Sequence, residues 1–186
     1  MTSAADADWR AAWQPLIEAV GTVLDDDGIR WGPEVVELGG IRRYTEVLEL
    51  DSAVHRGPDA VAPYTMIWPL TIVPMWEPGD PPLFTDAARD TQPLRSPIAD
   101  DVIPGAPRTT HTFGTSVSTF WDRPPVVGER LGNGPRRLVE VVPKQTSVGR
   151  GAFVTFEREI VSDAGDRVCR TVAQMYLYNA VSEAQE

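Results

Sequence analysis

The sequence predicts an α+β domain in which an antiparallel β-sheet wraps around a central hydrophobic helix. Residues 60–76 are apolar nearly all round, as in a fully buried helix. Residues 152–161 and 168–178 alternate between apolar and polar side chains and flank a turn, as in a β-hairpin. A sheet with one apolar face needs a cover. Segment 60–76 is the only predicted element apolar enough to supply it.

Residues 1–28 are predicted to form a helical extension that packs on the main domain. Its apolar positions recur every three or four residues, which indicates an amphipathic helix over 7–24 with Trp9, Trp13, Ile17, Val20 and Leu24 on one side. Pro15 marks a helix start or a kink. The acidic run 25–27 and Gly28 then end the helix.

The middle of the chain is predicted to contain a short strand at Val35–Leu38 and a helix at Ile41–Leu50. A loop follows from His55 to Ala60. The buried helix then begins near Pro63 and is broken or ended at Pro69 or Pro74.

Residues 77–110 contain seven prolines and are predicted to be an excursion over the surface. Two further strands are predicted at Thr112–Trp121 and Arg137–Val142, before the hairpin with its turn at Asp163–Asp166. The main domain therefore spans 29–180, and 181–186 form a tail. A sheet wrapped around a central buried helix is the hot-dog arrangement, so we expect a single hot-dog domain.

Composition excludes several functional classes. A net charge of −10 at pH 7 disfavours nucleic acid as a partner, because phosphate binding needs a basic surface. The single Cys169 cannot form an intrachain disulfide, and the N-terminus lacks the apolar core of a signal peptide. The longest apolar run is shorter than the roughly 20 residues of a membrane span. We therefore expect a cytoplasmic protein with no membrane span and no zinc site.

Four segments in order carry a resemblance to a known family. They are IRRYTEVLELDSAVH at 41–55, VAPYTM at 61–66, FWDRPPVVGERL at 120–131 and the hairpin sequence at 146–178. Together they resemble the MaoC-like hydratase/dehydratase family, in the variant called the N-terminal MaoC-like dehydratase domain. Glu129 stands where that family usually has aspartate. Four weak motifs in the right order are more specific than any one of them.

The resemblance implies reversible addition of water across the double bond of an enoyl thioester, with no cofactor other than coenzyme A as part of the substrate. Catalytic members use an aspartate and a histidine that face one small site, because water must lose a proton while the neighbouring carbon gains one. A backbone N–H at the start of the central helix polarises the thioester carbonyl. Here Tyr64 provides that N–H, since Pro63 has none.

Carried over residue by residue, the family motif places His55 at the catalytic histidine and Leu50 at the aspartate. Leucine cannot take a proton, so this site keeps only half of the catalytic pair. Asp51 lies one residue late and could replace the missing carboxylate if the loop is shorter by one residue. Arg136, Arg137 and Arg150 are candidates for contacts with the phosphates of coenzyme A.

Three functions follow from this comparison. The first choice is the substrate-binding, weakly catalytic or non-catalytic half of a hot-dog heteromer, whose second MaoC-like subunit supplies the catalytic pair. The second is a homodimeric enoyl-CoA hydratase that uses His55 with Asp51. The third is a protein that binds an acyl-CoA or acyl-carrier thioester without turnover.

Overall fold

The structure is a computed structural model that describes residues 9–24, 28–74, 76, 78–82 and 103–180. Within these ranges the chain forms three short α-helices and six strands. The helices are α1 (Gln14–Glu18), α2 (Leu38–Val47) and α3 (Ile67–Thr71), and the strands are β1 (Arg30–Val35), β2 (His111–Trp121), β3 (Arg130–Asn133), β4 (Arg137–Gln145), β5 (Gly149–Ser162) and β6 (Arg167–Ala180). Single 3-10 turns cover Ala53–His55 and Tyr64–Met66.

The six strands form one antiparallel sheet centred on the β5–β6 hairpin. The order is β1-β3-β5-β6-β2, and β4 also pairs with β5, sharing one edge of that strand with β3. The turn between β5 and β6 closes through hydrogen bonds from Ser162 N–H to Asp166 and from Gly165 N–H to Ser162. Gly165 has a φ of 89°, which glycine adopts readily. The predicted hairpin and its turn are confirmed.

One face of the sheet carries the core. On β5 the buried side chains include Val154, Phe156 and Ile160, and on β6 they include Cys169 and Leu177, as the alternation predicts. Two clusters lie on this face. The first packs Met66 and Ile67, next to and within α3, against Ile160 and Cys169. The second packs Trp13 and Leu16 against Val154 and Leu177.

The cover of the core face differs from the prediction. Segment 60–76 does not form one long buried helix, because α3 has only five residues and is preceded by a 3-10 turn. Ile72 is already extended, so α3 ends at Thr71, before Pro74 is reached. The N-terminal segment and Ile103 therefore cover the rest of the face.

Helix α3 sits unusually close to the sheet at its C-terminal end. A Cβ atom at Gly32 of β1 would lie 2.1 Å from the carbonyl oxygen of Leu70. The side-chain amide of Asn133 in β3 donates to the Thr71 carbonyl at 2.7 Å. Both contacts fix the end of the helix against the two strands at one edge of the sheet.

Two predicted elements differ from the structure, and one strand was not predicted. The strand predicted at Val35–Leu38 is wrong, because β1 precedes it at Arg30–Val35, and Pro33 is tolerated there since β1 is an edge strand. Helix α2 begins at Leu38 and ends at Val47, not at Ile41 and Leu50. Strand β3 was not predicted at all, because its sequence, RLGN, carries little strand signal.

Within residues 9–24 the N-terminal extension is helical only in part. Pro15 occupies the first turn of α1, as predicted for a helix start. After α1 the chain runs extended beside β4, where Gly21 N–H donates to Leu138 and Leu24 N–H to Arg136. Residues 1–8, 25–27 and 181–186, and most of the proline-rich excursion at 83–102, lie outside the described residues. No helix of the described ranges is long and apolar enough to cross a membrane.

The close contact at Gly32 gives a stability prediction. We expect Gly32→Ala to lower the free energy of unfolding by about 1–3 kcal/mol, because the new methyl group overlaps the Leu70 carbonyl. Gly40→Ala is the matched control: it lies in α2 with no atom within 4 Å of the added carbon. We expect it to be neutral or to raise stability by about 0.5 kcal/mol. Urea unfolding measures both, and equal stability of the two variants would contradict the packing of α3 on β1.

Candidate active site

His55 lies at the end of the 3-10 turn that follows α2 and is half-buried. Its Nδ1 atom is 2.8 Å from the carbonyl oxygen of Val61. A carbonyl oxygen can only accept a hydrogen bond, so Nδ1 carries the hydrogen in the neutral ring. Nε2 is then the nitrogen with a lone pair, which is the atom a general base needs.

The turn between α2 and His55 is set by a Schellman motif. Leu50 N–H donates to the Thr45 carbonyl at 2.9 Å, and Glu49 N–H donates to the Glu46 carbonyl at 3.2 Å. Glu49 occupies the left-handed position of this motif with a φ of 52°, the only such non-glycine residue in the described ranges. Glycine usually fills that position, and a larger residue there costs about 1–2 kcal/mol. The motif directs Leu50 and Asp51 back towards His55.

Leu50, Asp51 and His55 share one open cavity of about 470 Å³. The structure therefore brings together the three residues that the motif comparison singled out. The rest of the lining is mostly charged and comes from α2 and the following turn: Arg42, Thr45, Glu46, Glu49 and Arg56.

Asp51 does not pair with His55. Its carboxylate accepts a hydrogen bond from Arg56 at 2.6 Å, and its side chain is 89% exposed. Arg56 was not predicted as a site residue, because nothing in the sequence shows that the turn brings it back onto Asp51. Leu50 is 40% exposed and lines the same cavity. The carboxylate that the motif comparison offers as a partner for His55 is thus engaged by a guanidinium group.

Pro63 and Tyr64 lie beyond Val61, where the chain enters the 3-10 turn before α3. Pro63 is buried, whereas Tyr64 is half exposed and its ring centroid lies 4.5 Å from that of Trp121 at the end of β2. Neither residue lines the cavity at His55. Their predicted part in substrate binding stays a prediction.

The three arginines predicted to contact coenzyme A also lie away from the His55 cavity. Arg136 is 5% exposed, with its guanidinium 5.6 Å from the centre of the Phe156 ring. Arg137 donates to the Gly21 carbonyl, and Arg150 borders a second cavity of about 460 Å³ beside Trp9 and Asn179. Their predicted contacts with the phosphates of coenzyme A stay predictions. In the part of the chain that the structure describes, no three His, Cys, Asp or Glu side chains are grouped for a metal.

No protein-family model and no curated protein matches the chain. Solved structures do match it. A chain of the ChsH1–ChsH2 complex from Mycobacterium tuberculosis is similar with a TM-score of 0.60 and 18% identity, over 96% of this chain and 95% of that one. A MaoC-like dehydratase matches with a TM-score of 0.53 and 16% identity, over 89% of this chain and 44% of that one. The chain has the hot-dog fold. A MaoC-like dehydratase from Rhodospirillum rubrum is also similar, with a TM-score of 0.51 and 15% identity, over 86% of this chain and 94% of that one.

The hot-dog comparison confirms the predicted fold class and agrees with the resemblance that the four sequence motifs carry. In this hot-dog domain His55 lies outside the sheet. It follows α2 and is tied to segment 60–62, which leads into α3. The site is therefore built from α2 and the turn that follows it, not from strand side chains.

Cys169 is a residue that we expect to be unreactive towards thiol reagents. It is fully buried on β6, and burial, with a smaller contribution from the charge of Asp122, raises the pKa of its thiol to about 12. The thiolate is the reactive form. We therefore expect no reaction with a disulfide reagent at about pH 8 in the folded protein, and reaction of one thiol after denaturation in urea. Fast reaction before denaturation would contradict the raised pKa.

Proposed function

We propose that this chain is a subunit of an enoyl-thioester hydratase or 3-hydroxyacyl-thioester dehydratase, and that it is the substrate-binding, weakly catalytic or non-catalytic half of a hot-dog heteromer. The observation that carries this proposal is made at the site: His55 shares its cavity with Leu50, and the carboxylate of Asp51 is bound by Arg56. The substrate is an acyl thioester of coenzyme A or of a carrier protein, and no other cofactor is proposed.

The chemistry explains why one histidine is not enough. Hydration adds the oxygen of water to the β-carbon and a proton to the α-carbon, while electrons move transiently onto the thioester carbonyl. Nε2 of His55 can accept the proton of the water. The imidazolium that forms needs a nearby carboxylate to stabilise it, and the side chain of Leu50 offers none. We therefore expect His55 alone to support slow turnover at most.

A second function, a homodimeric hydratase that uses His55 with Asp51, has one observation in its favour. Asp51 lines the same cavity as His55. Its ion pair with Arg56 is highly exposed, and such pairs contribute little to stability. A substrate could therefore displace Arg56 at little cost and release Asp51 for catalysis.

Strand β2 supports a second hot-dog subunit as the partner. It has eleven residues, pairs on one side with β6, and has no other strand beside it in the described sheet. It contains no Asp, Glu, Lys or Arg, and Phe113, Val117 and Phe120 are exposed along it. Soluble proteins usually protect such an edge with charges, prolines or another strand. Pairing with the matching edge of a second subunit would protect it, and the similar chain from the ChsH1–ChsH2 complex belongs to a two-protein assembly.

The activity test restores the missing carboxylate. We expect the purified chain to hydrate crotonyl-CoA and longer enoyl-CoAs slowly or not at all. Leu50→Asp should raise kcat/KM by at least about tenfold, because it completes an acid–base pair. The increase should disappear when His55→Ala is added. Loss of the enoyl absorbance measures the rate, and Leu50→Asn is the matched control without a titratable group.

The same assay separates the alternatives. Fast turnover by the unmodified chain alone, lost in both His55→Ala and Asp51→Asn, would favour the homodimeric hydratase and contradict the heteromer. Turnover that appears only with a neighbouring MaoC-like protein would support the heteromer. The third function, a binding protein, would be supported if the chain binds acyl-CoA but shows no turnover, either alone or with the neighbouring protein, and if Leu50→Asp gains no activity.

The edge of β2 gives a separate prediction about assembly. We expect Val117→Lys to weaken subunit association by at least about tenfold, because it puts a charge on the strand that pairs. Val117 is 54% exposed. Val139→Lys is the matched control, since Val139 is also exposed but lies in β4, beside β5. Light scattering, on the chain alone and with its partner, measures the assembly. An equal effect of both variants would contradict β2 as the interface.

A further inference from the structure

Arg123 and Glu129 form a partly buried ion pair that closes the turn between β2 and β3. Two guanidinium nitrogens of Arg123 donate to the two carboxylate oxygens of Glu129, at 3.1 and 2.8 Å. Glu129 is only 9% exposed. Such a two-bond contact fixes both distance and orientation. The hydrogen bond to Glu129 also raises the pKa of Arg123, so the guanidinium stays charged.

The pair also holds the interior of the turn. One of the two Glu129 oxygens, Oε1, also accepts a hydrogen bond from Val126 N–H at 2.6 Å. Arg123 donates in addition to the Pro124 carbonyl at 3.2 Å. The two ends of the turn and its middle are therefore tied to one carboxylate–guanidinium contact. Gly128 N–H and the Glu129 carbonyl bond to Val36, which anchors the turn beside β1.

The turn at 124–128 also holds segment 60–62, which contacts His55. Ala62 N–H donates to the Pro125 carbonyl at 2.8 Å, Val127 N–H reaches the Ala60 carbonyl at 3.4 Å, and Val61 forms an isolated β-bridge with Val126. Segment 60–62 thus runs antiparallel to the turn. The Val61 carbonyl projects from this segment to Nδ1 of His55 at 2.8 Å.

We propose that Arg123 and Glu129 are positioning residues for His55, which they keep in the Nδ1–H form by fixing the Val61 carbonyl. The contacts run from the ion pair through the turn at 124–128 and segment 60–62 to the imidazole ring. The importance of this positioning for catalysis rests on the proposed hydratase function, in which Nε2 of His55 must be free to accept a proton. The geometric part can be tested without substrate.

The alternative is that the pair stabilises the turn and has no effect on the histidine. A loss of stability or activity on mutation would not separate the two, because any damage to the turn could cause it. The tautomer of His55 does separate them. A neutral imidazole in water favours hydrogen on Nε2, so a ring that loses the Val61 carbonyl should move towards the Nε2–H form.

The experiment is nitrogen-15 NMR of the imidazole rings in the full chain, in any assembly it forms, well above the ordinary histidine pKa of about 6.5. The chain has only two histidines, so His55→Ala assigns both sets of signals. We expect His55 to be mainly in the Nδ1–H form in the unmodified chain. In Glu129→Gln that fraction should fall at least twofold, because the amide cannot replace the charged two-bond contact. Glu129→Asp, which keeps the charge, should show a smaller change.

Asp122→Asn is the matched control. Asp122 also forms a two-bond ion pair, with Arg167, immediately before Arg123, but neither partner contacts the turn at 124–128 through its side chain. We expect no change in the His55 tautomer there. His111, which stacks on Tyr178 at the other end of β2, reports in every variant that the sheet is folded. If Glu129→Gln does not fold, the His55 tautomer is measured instead in Arg123→Lys, which keeps the positive charge but loses the two-bond contact.

The proposal is overturned by any of three results. These are an unmodified His55 with hydrogen mainly on Nε2, an unchanged tautomer in a folded Glu129→Gln or Arg123→Lys variant, or an equal change in Asp122→Asn. Hydration activity enters none of these results. A chain that turned out not to be a hydratase could still show the positioning, and an active hydratase could still lack it.

Discussion

The ladder between β5 and β6 is the interaction on which the rest of the structure depends. Strands β2, β3 and β4 pair directly with one of these two strands, and β1 is attached through β3. The two are close enough that a Cβ atom at Gly151 would lie 1.9 Å from the Leu177 carbonyl. Where they approach, Tyr176 is fully buried, and its hydroxyl lies 2.8 Å from the carbonyls of Lys144 and Gly149. The positions of the other strands therefore follow from this hairpin.

The sequence predicts this hairpin well because its signal is local. Apolar and polar side chains alternate, and a turn with glycine joins the strands, so neighbours in sequence are also partners in space. The short strand β3 and the true length of α3 could not be predicted in this way. Strand β3 depends on partners far away in the chain, and an apolar run such as 60–76 does not show whether it is helical or extended.

The candidate site was predictable to a similar, limited degree. The motif comparison placed Leu50, Asp51 and His55 near one another, and they do line one cavity. It could not show that Glu49 turns the chain in a left-handed conformation or that Arg56 engages Asp51. Both features depend on the path of the backbone after α2. The local charge balance around His55 follows from that path, which is why residue types alone leave its function open.

The uncharged edge of β2 has a consequence for how this protein must be made. A long exposed edge of this kind is a ready template for aggregation, especially while the chain is still unassembled. The net charge of −10 opposes aggregation but does not protect the strand itself. For the heteromer proposed above, matched synthesis of the two subunits would shorten the time for which this edge is unprotected.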